Sequence, residues 1–133
     1  MAPKQIIAKM LNNDLFSKWL NLKIVLIKSG ECKLELLVSK NMTNGFKIAH
    51  GGISYSLGDS CLAFAANAKG YIAFTKKSSV KYIKQVKEGD QLKAHAFETE
   101  ENSKYKVNIT NQHDEKVAEI IGLVHYTSTK WIC

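Results

Sequence analysis

The segment from residue 51 to residue 69, GGISYSLGDSCLAFAANAK, constrains the fold more than any other part of the chain. Its apolar side chains recur at helical spacing, at Ile53, Leu57, Cys61, Phe64 and Ala68. Asp59 is the only formally charged side chain before Lys69, and most other positions are Ala, Ser or Gly. A helix without a charged face is buried on more than one side. A membrane-spanning helix is the competing interpretation, which the glycines, the serines, Asp59 and Asn67 disfavour.

Strand-like runs precede and follow this helix. Two runs joined by Ser29-Gly30 predict a β-hairpin before it, and runs separated by turn-like residues follow it. The runs are 22–28 and 32–39 before the helix and, after it, 71–75 leading into 78–85, 91–98, 104–111 and 117–127, which predict two strands before the helix and four after it. The last run is apolar on both faces apart from Glu119, so we expect it at a central position. Strands joined by tight turns predict one antiparallel sheet, and therefore an α+β fold in which a curved sheet wraps around one long central helix.

The first 21 residues predict an N-terminal helical extension. Apolar side chains between residues 4 and 20 recur at roughly helical spacing. Asn12-Asn13-Asp14 is expected to interrupt the helix, with Asp14 or Ser17 capping a second short turn. We expect the extension to lie as a lid over the core, and a membrane-surface anchor is the alternative. A chain of 133 residues is expected to form a single domain, residues 1–133.

The charge balance favours a phosphate-bearing partner. The net charge is +7, and all nineteen basic residues are Lys. Because Arg is the usual bidentate reader of guanine, its absence favours a phosphorylated small ligand over sequence-specific DNA binding. We therefore expect no nucleic acid partner. A Lys-rich solubilising surface is the alternative explanation of the charge.

The cysteines indicate the compartment. Cys32, Cys61 and Cys133 are widely spaced and match neither a disulfide framework nor a zinc motif, which suits a reducing environment. The start of the chain lacks the apolar stretch of a signal peptide. We expect a cytoplasmic protein with no metal, no cofactor and no membrane partner.

Two features of the helical segment carry chemistry. Gly51 and Gly52 stand at its start, where free N–H groups and the helix dipole can form an oxyanion hole. A loop that requires positive φ angles is the structural alternative. Asp59 is a carboxylate on an otherwise uncharged helix, which makes it a candidate base or nucleophile, or else a structural Asp satisfied by nearby donors.

The spacing of these two features predicts a dimer if they act together. Asp59 lies eight residues beyond Gly51, a separation of about 12 Å along a helix. One substrate atom cannot contact both residues of the same helix. Either the two are unrelated, or Asp59 of one subunit meets Gly51 of another across a two-fold axis.

The run from His50 to Asp59 resembles the signature H-G-G-x-x-x-S-L-x-D of PaaI-type hotdog-fold acyl-CoA thioesterases. Asn44 stands six residues before His50, as in that family, and Thr75 stands seven before the aromatic of the next strand. Tyr82-Ile83-Lys84 resembles its Y-L-R stretch, and residues 88–92 resemble its G-D-x-L turn. The resemblance covers about residues 22–127, and the run from His50 to Asp59 is its specific part.

The resemblance implies a hotdog fold that forms a homodimer, often paired again into a dimer of dimers, and that hydrolyses acyl-CoA to a free acid and CoA. The Gly51 N–H would polarise the thioester carbonyl, and Asp59 of the partner subunit would act as general base or nucleophile. Asn44 would help to place the water or the carboxylate, and Thr75 would lie near the leaving sulfur or the water. His50 would hold the loop. Gly52 and Lys84 would contact the CoA part of the substrate.

Three positions depart from the family pattern. Lys47 stands where the family often has Gly. Lys84 replaces the Arg of the Y-L-R stretch, and Gln85 replaces the Pro that commonly follows that stretch. These departures concern the identity of the substrate more than the reaction. One alternative function is a hotdog module that binds acyl-CoA or an acyl carrier without turnover. Another is a basic nucleic-acid binder, which the absence of Arg disfavours.

Overall fold

The computed structural model describes residues 1–132, so Cys133 lies outside the described residues. The chain begins with two helices, α1 (Pro3–Asn12) and α2 (Leu15–Leu20), followed by strands β1 (Lys23–Lys28) and β2 (Glu31–Leu37). A single 3-10 turn, Lys40–Met42, leads to the long helix α3 (Gly51–Asn67). The remaining strands are β3 (Tyr71–Tyr82), β4 (Gln91–Glu98), β5 (Lys104–Thr110) and β6 (Lys116–Lys130).

The six strands form one antiparallel sheet in the order β1-β2-β4-β5-β6-β3. β6 is an interior strand, as predicted, and β1 and β3 are the two edges. The predicted run 71–75 and the run 78–85 into which it leads are one strand, β3, as expected from the four strands predicted after the helix, and this strand ends at Tyr82. The register shifts between Thr75 and Lys77, where β3 accommodates one extra residue opposite β6.

The core lies between α3 and one face of the sheet. Alternate side chains of the inner strands are fully buried beneath the helix, including Leu34, Leu92, Val107 and Ile109. The helix also packs close to β6. A Cβ atom added at Gly122 would lie only 2.4 Å from Leu62 Cδ1, so this close approach requires glycine at position 122. The predicted α+β arrangement of a sheet around one long helix is therefore confirmed.

The N-terminal extension packs onto this core. Asp14 caps α2 by accepting a hydrogen bond from the Ser17 N–H, which explains the break between α1 and α2. Ile6, Ile7 and Leu20 are fully buried, as expected for a lid. Within residues 1–132, no helix has the length and the apolar character needed to cross a membrane.

Candidate active site

The loop before α3 is shaped by Asn44. Its side-chain Oδ1 accepts hydrogen bonds from the Phe46 N–H at 2.9 Å and the Ile48 N–H at 3.5 Å. Lys47 has φ +62°, in the left-handed region that favours glycine. This conformation explains why glycine, which the family often has here, suits the position. Asn44 therefore folds the loop with its oxygen, and its Nδ2 is the group that can reach a ligand.

The two glycines at the start of α3 have different roles. The Gly52 N–H donates to Nδ1 of His50, the N-cap residue, at 2.9 Å. The Gly51 N–H has no acceptor among residues 1–132. Our expectation of two free N–H groups therefore holds only for Gly51, because the histidine side chain caps the helix locally. His50 holds the start of the helix through this bond.

A cavity of about 320 Å³ opens at this end of α3. It brings together four of the residues singled out from the sequence, Asn44, His50, Gly51 and Lys84. Tyr82 also lines it and donates a hydrogen bond from its hydroxyl to the Gly51 carbonyl at 3.0 Å. The Lys84 ammonium is paired with Glu115, so it lines the cavity without being a free cation.

Asp59 lies on a partly exposed stripe of α3. The stripe repeats at helical spacing and consists of Gly52, Tyr55, Ser56, Asp59, Ser60 and Ala63. No hydrogen bond from residues 1–132 reaches the Asp59 carboxylate, which argues against the structural alternative in this single chain. Burial raises the pKa of this carboxyl above its usual range. A carboxyl group of this kind suits a base or a nucleophile.

Asp59 and Thr75 do not line the cavity that contains Gly51. Asp59 is two helical turns away from Gly51 along a continuous helix, about 12 Å. Thr75 is partly buried on β3, next to the register shift. Within one chain, the structure therefore keeps the candidate base apart from the candidate oxyanion donor.

Tyr82 is the site residue to which sequence reasoning assigned no role. Its place in the Y-L-R-like stretch marked it as part of the family pattern, but its hydrogen bond to Gly51 spans 31 residues and is invisible in sequence. Within the described part of the chain, no cluster of three or more His, Cys, Asp or Glu side chains is arranged to hold a metal ion.

Comparison with known proteins identifies the family. A family model described as the thioesterase superfamily matches residues 46–118, more than half of the chain. A putative esterase of Archaeoglobus fulgidus is 33% identical over 119 residues, which cover 87% of this chain and 77% of the relative. The chain belongs to the thioesterase superfamily. It is therefore a thioesterase enzyme, as predicted.

Two further relatives support the PaaI type. Acyl-coenzyme A thioesterase PaaI of Escherichia coli is 29% identical over 119 residues, covering 87% of this chain and 85% of PaaI. The E. coli PaaI structure superposes with a TM-score of 0.90 at 27% identity, over 96% of this chain and 95% of that one. A Streptococcus mutans protein solved with bound acetyl CoA has a TM-score of 0.78 at 25% identity, over 84% of this chain and 92% of that one. The predicted PaaI-type hotdog fold is confirmed.

Proposed function

We propose that this thioesterase hydrolyses acyl-CoA to a free acid and CoA. Support comes from the name of the E. coli relative, an acyl-coenzyme A thioesterase, and from the acetyl CoA bound to the S. mutans protein. The reaction occurs in the cytoplasm, in line with the cysteine usage of the chain. The chain acts as a single domain.

The chemistry uses two groups. The Gly51 N–H donates a hydrogen bond to the thioester oxygen as negative charge develops there. Asp59 either takes a proton from the attacking water or attacks the carbonyl carbon itself, forming an anhydride that water then opens. On either route the C–S bond breaks, the CoA thiolate leaves and is protonated, and the acyl group leaves as the acid.

The observation that carries this proposal is a pair of unsatisfied groups on one helix. The Gly51 N–H and the Asp59 carboxylate both lack partners among residues 1–132, and they lie too far apart to share a substrate atom within one chain. A two-fold axis that places α3 of one subunit against α3 of the other brings Asp59 to the partner's Gly51.

The surface of the chain supports such a dimer. The partly exposed stripe of α3 carries no charge except Asp59. β3 is an edge strand of twelve residues, whose Phe74 and Tyr82 side chains are more than half exposed. Long exposed edges of this kind pair with another copy. We propose the homodimer on this basis, with a dimer of dimers as its further assembly.

The remaining predicted residues have supporting roles. Nδ2 of Asn44 orients the water or the partner's carboxylate, and Thr75 lies on β3 towards the leaving sulfur. Lys84 exchanges its contact with Glu115 for a phosphate of CoA, a change that salt would weaken. Gly52 lies between the CoA site at Gly51 and the uncharged cavity beside α2, which it lines, and it contributes to the CoA site only by its lack of a side chain, since its N–H is already bonded to His50.

The test is hydrolysis of a panel of acyl-CoA substrates, followed by thiol release, with wild type and Asp59→Asn. We expect kcat/KM of the variant to fall by about 10²-fold or more. Glu100→Gln, which removes one exposed carboxylate elsewhere, is the matched control and should keep wild-type activity. Full activity in Asp59→Asn would remove Asp59 from the mechanism. Tight CoA binding without hydrolysis by wild type would favour the non-catalytic module.

A further inference from the structure

The short helix α2 presents two aromatic side chains to solvent. Phe16 and Trp19 are 52% and 53% exposed, and their rings stack with centroids 6.0 Å apart and planes 18° from parallel. Half-exposed aromatic rings on one helix face mark a surface that gains from being covered. The pair is therefore a candidate binding surface.

α2 is fixed in position, so the pair is preorganised. Asp14 caps the helix through both the N–H and the hydroxyl of Ser17. The Ser17 hydroxyl is also 3.2 Å from the Ser60 hydroxyl on α3, one residue beyond Asp59. Leu20 at the end of α2 is fully buried. These contacts hold the aromatic pair at a fixed distance from the candidate catalytic residue.

A cavity of about 300 Å³ lies between α2, the 3-10 turn and the start of α3. Phe16, Trp19, Met42, Ile53 and Ser56 are among the side chains that line it, and none of its lining side chains is an acid or a lysine. The cavity at Gly51 differs, because Lys84 lines it. An uncharged aromatic cavity suits an apolar group and not the phosphates of CoA.

The cavity is continuous with the stripe that carries Asp59. Ser56, on its wall, lies three residues before Asp59, so the two are about one helical turn apart. A thioester carbonyl held at Asp59 has its acyl group within reach of this cavity. The opposite arrangement would place charged CoA groups among uncharged aromatic rings.

We infer that Phe16 and Trp19 form the wall of the subsite that receives the acyl group and limit the size of the group that fits. This inference rests on the proposed function and extends it, because it assigns selectivity to the N-terminal extension. A volume of about 300 Å³ is at the lower end for small-molecule pockets. Short acyl groups fill it, and long ones meet the aromatic wall.

The test compares kcat/KM for hexanoyl-CoA and palmitoyl-CoA in wild type, Phe16→Ala and Trp19→Ala. We expect wild type to prefer the hexanoyl substrate, and the ratio of palmitoyl to hexanoyl kcat/KM to rise about tenfold or more in the alanine variants. Leu15→Ala is the control, because Leu15 is a 77% exposed residue of the same helix that does not line the cavity. An unchanged ratio in both aromatic variants would overturn the inference.

Two further readouts separate the inference from its rivals. If Phe16→Ala and Trp19→Ala weaken dimerisation in sedimentation equilibrium but leave the ratio unchanged, the pair faces the partner subunit and the inference fails. If wild type hydrolyses nothing, the proposed function fails, and calorimetry then compares the binding of hexanoyl-CoA with that of CoA. Tighter binding of hexanoyl-CoA than of CoA by wild type, with the difference lost in Trp19→Ala, would support the subsite. Equal affinities of wild type for the two ligands, or a difference that Trp19→Ala retains, would overturn it.

Discussion

Gly51 and Gly52 are adjacent and of the same type, but their backbone groups have different hydrogen-bond partners. The His50 side chain consumes the Gly52 N–H, and the Tyr82 hydroxyl binds the Gly51 carbonyl. The Gly51 N–H has no acceptor among residues 1–132 and is the one of these two donors that is left for a ligand. A motif of two glycines therefore leaves one N–H, that of Gly51, for the proposed oxyanion hole.

Substitution by proline isolates this donor. Gly51 is the first residue of α3, where proline is well tolerated, and His50 already has the extended conformation that proline requires before it, with φ −59° and ψ 137°. Gly51→Pro should retain the fold and lower kcat by about 10²–10³-fold, because it removes the N–H.

The matched variant for this test is Gly51→Ala, which retains the N–H. Its Cβ would lie 3.2 Å from the hydroxyl of Tyr82, an exposed side chain that can move slightly. We expect this variant to keep most of the wild-type kcat. Equal losses in the two variants would show that the space at Gly51 matters and that its N–H does not.

The pH dependence of activity should report the environment of Asp59. Burial raises the pKa of this carboxyl above its usual 3.8, and the proposed mechanism requires Asp59 in its ionised form. Activity should therefore be lost, as the pH falls, at a higher pH than for an ordinary Asp. A plot of kcat/KM against pH with its acidic inflection at or below 3.8 would contradict this account.

The same shift in pKa has a consequence for stability. A raised pKa in the folded state means that ionised Asp59 lowers the free energy of unfolding, and this cost is fully present above the folded-state pKa. Asp59→Asn should be more stable than wild type at neutral pH, and the difference should vanish as the pH falls below the unfolded-state pKa.

At the residue level, the sequence identifies which side chains line the site better than it identifies the residues with which they form ion pairs or hydrogen bonds. Asn44, His50, Gly51 and Lys84 were expected at one site and line one cavity. The partner of Lys84, however, is Glu115, 31 residues away, and this pairing depends on the sheet register. Contacts of that range are set by tertiary packing, which local spacing does not encode.

At the level of elements, α3 was predictable because its apolar period and lack of charge are local properties. The close approach of the helix to the sheet was not predicted, because it depends on glycines in separate elements. A Cβ at Gly58 would lie 2.3 Å from Ile120 Cδ1, and one at Gly122 would lie 2.4 Å from Leu62 Cδ1. The two glycines make room for side chains from the opposite layer.

Gly122→Ala tests this close packing. Leu62 is fully buried, so its methyl group cannot move into solvent, and the added Cβ should lower the free energy of unfolding by about 1–3 kcal/mol. Gly45→Ala, where a Cβ meets nothing within 4 Å, should change it by about 0.5 kcal/mol or less. Urea denaturation measures both. Equal stability of the two variants would mean that the layers separate at little cost.

At the level of the whole molecule, one chain is an incomplete catalyst in this account. Its oxyanion donor and its carboxylate lie at separate places on one rigid helix, and the stripe between them is open. The sequence predicted this division from the spacing of two residues. It could not predict the axis of the proposed dimer, because the surface to which we assign that axis is assembled from two separate elements, α3 and the edge strand β3.

The shared site is tested most directly by mixing two inactive variants. Asp59→Asn and Gly51→Pro are unfolded together, refolded and assayed against the same total amount of wild type. A mixed dimer has one site with both defects and one intact site, so random pairing should restore about a quarter of wild-type activity. Activity no higher than the sum of the two variants refolded separately would show that Asp59 and Gly51 do not serve one site across subunits.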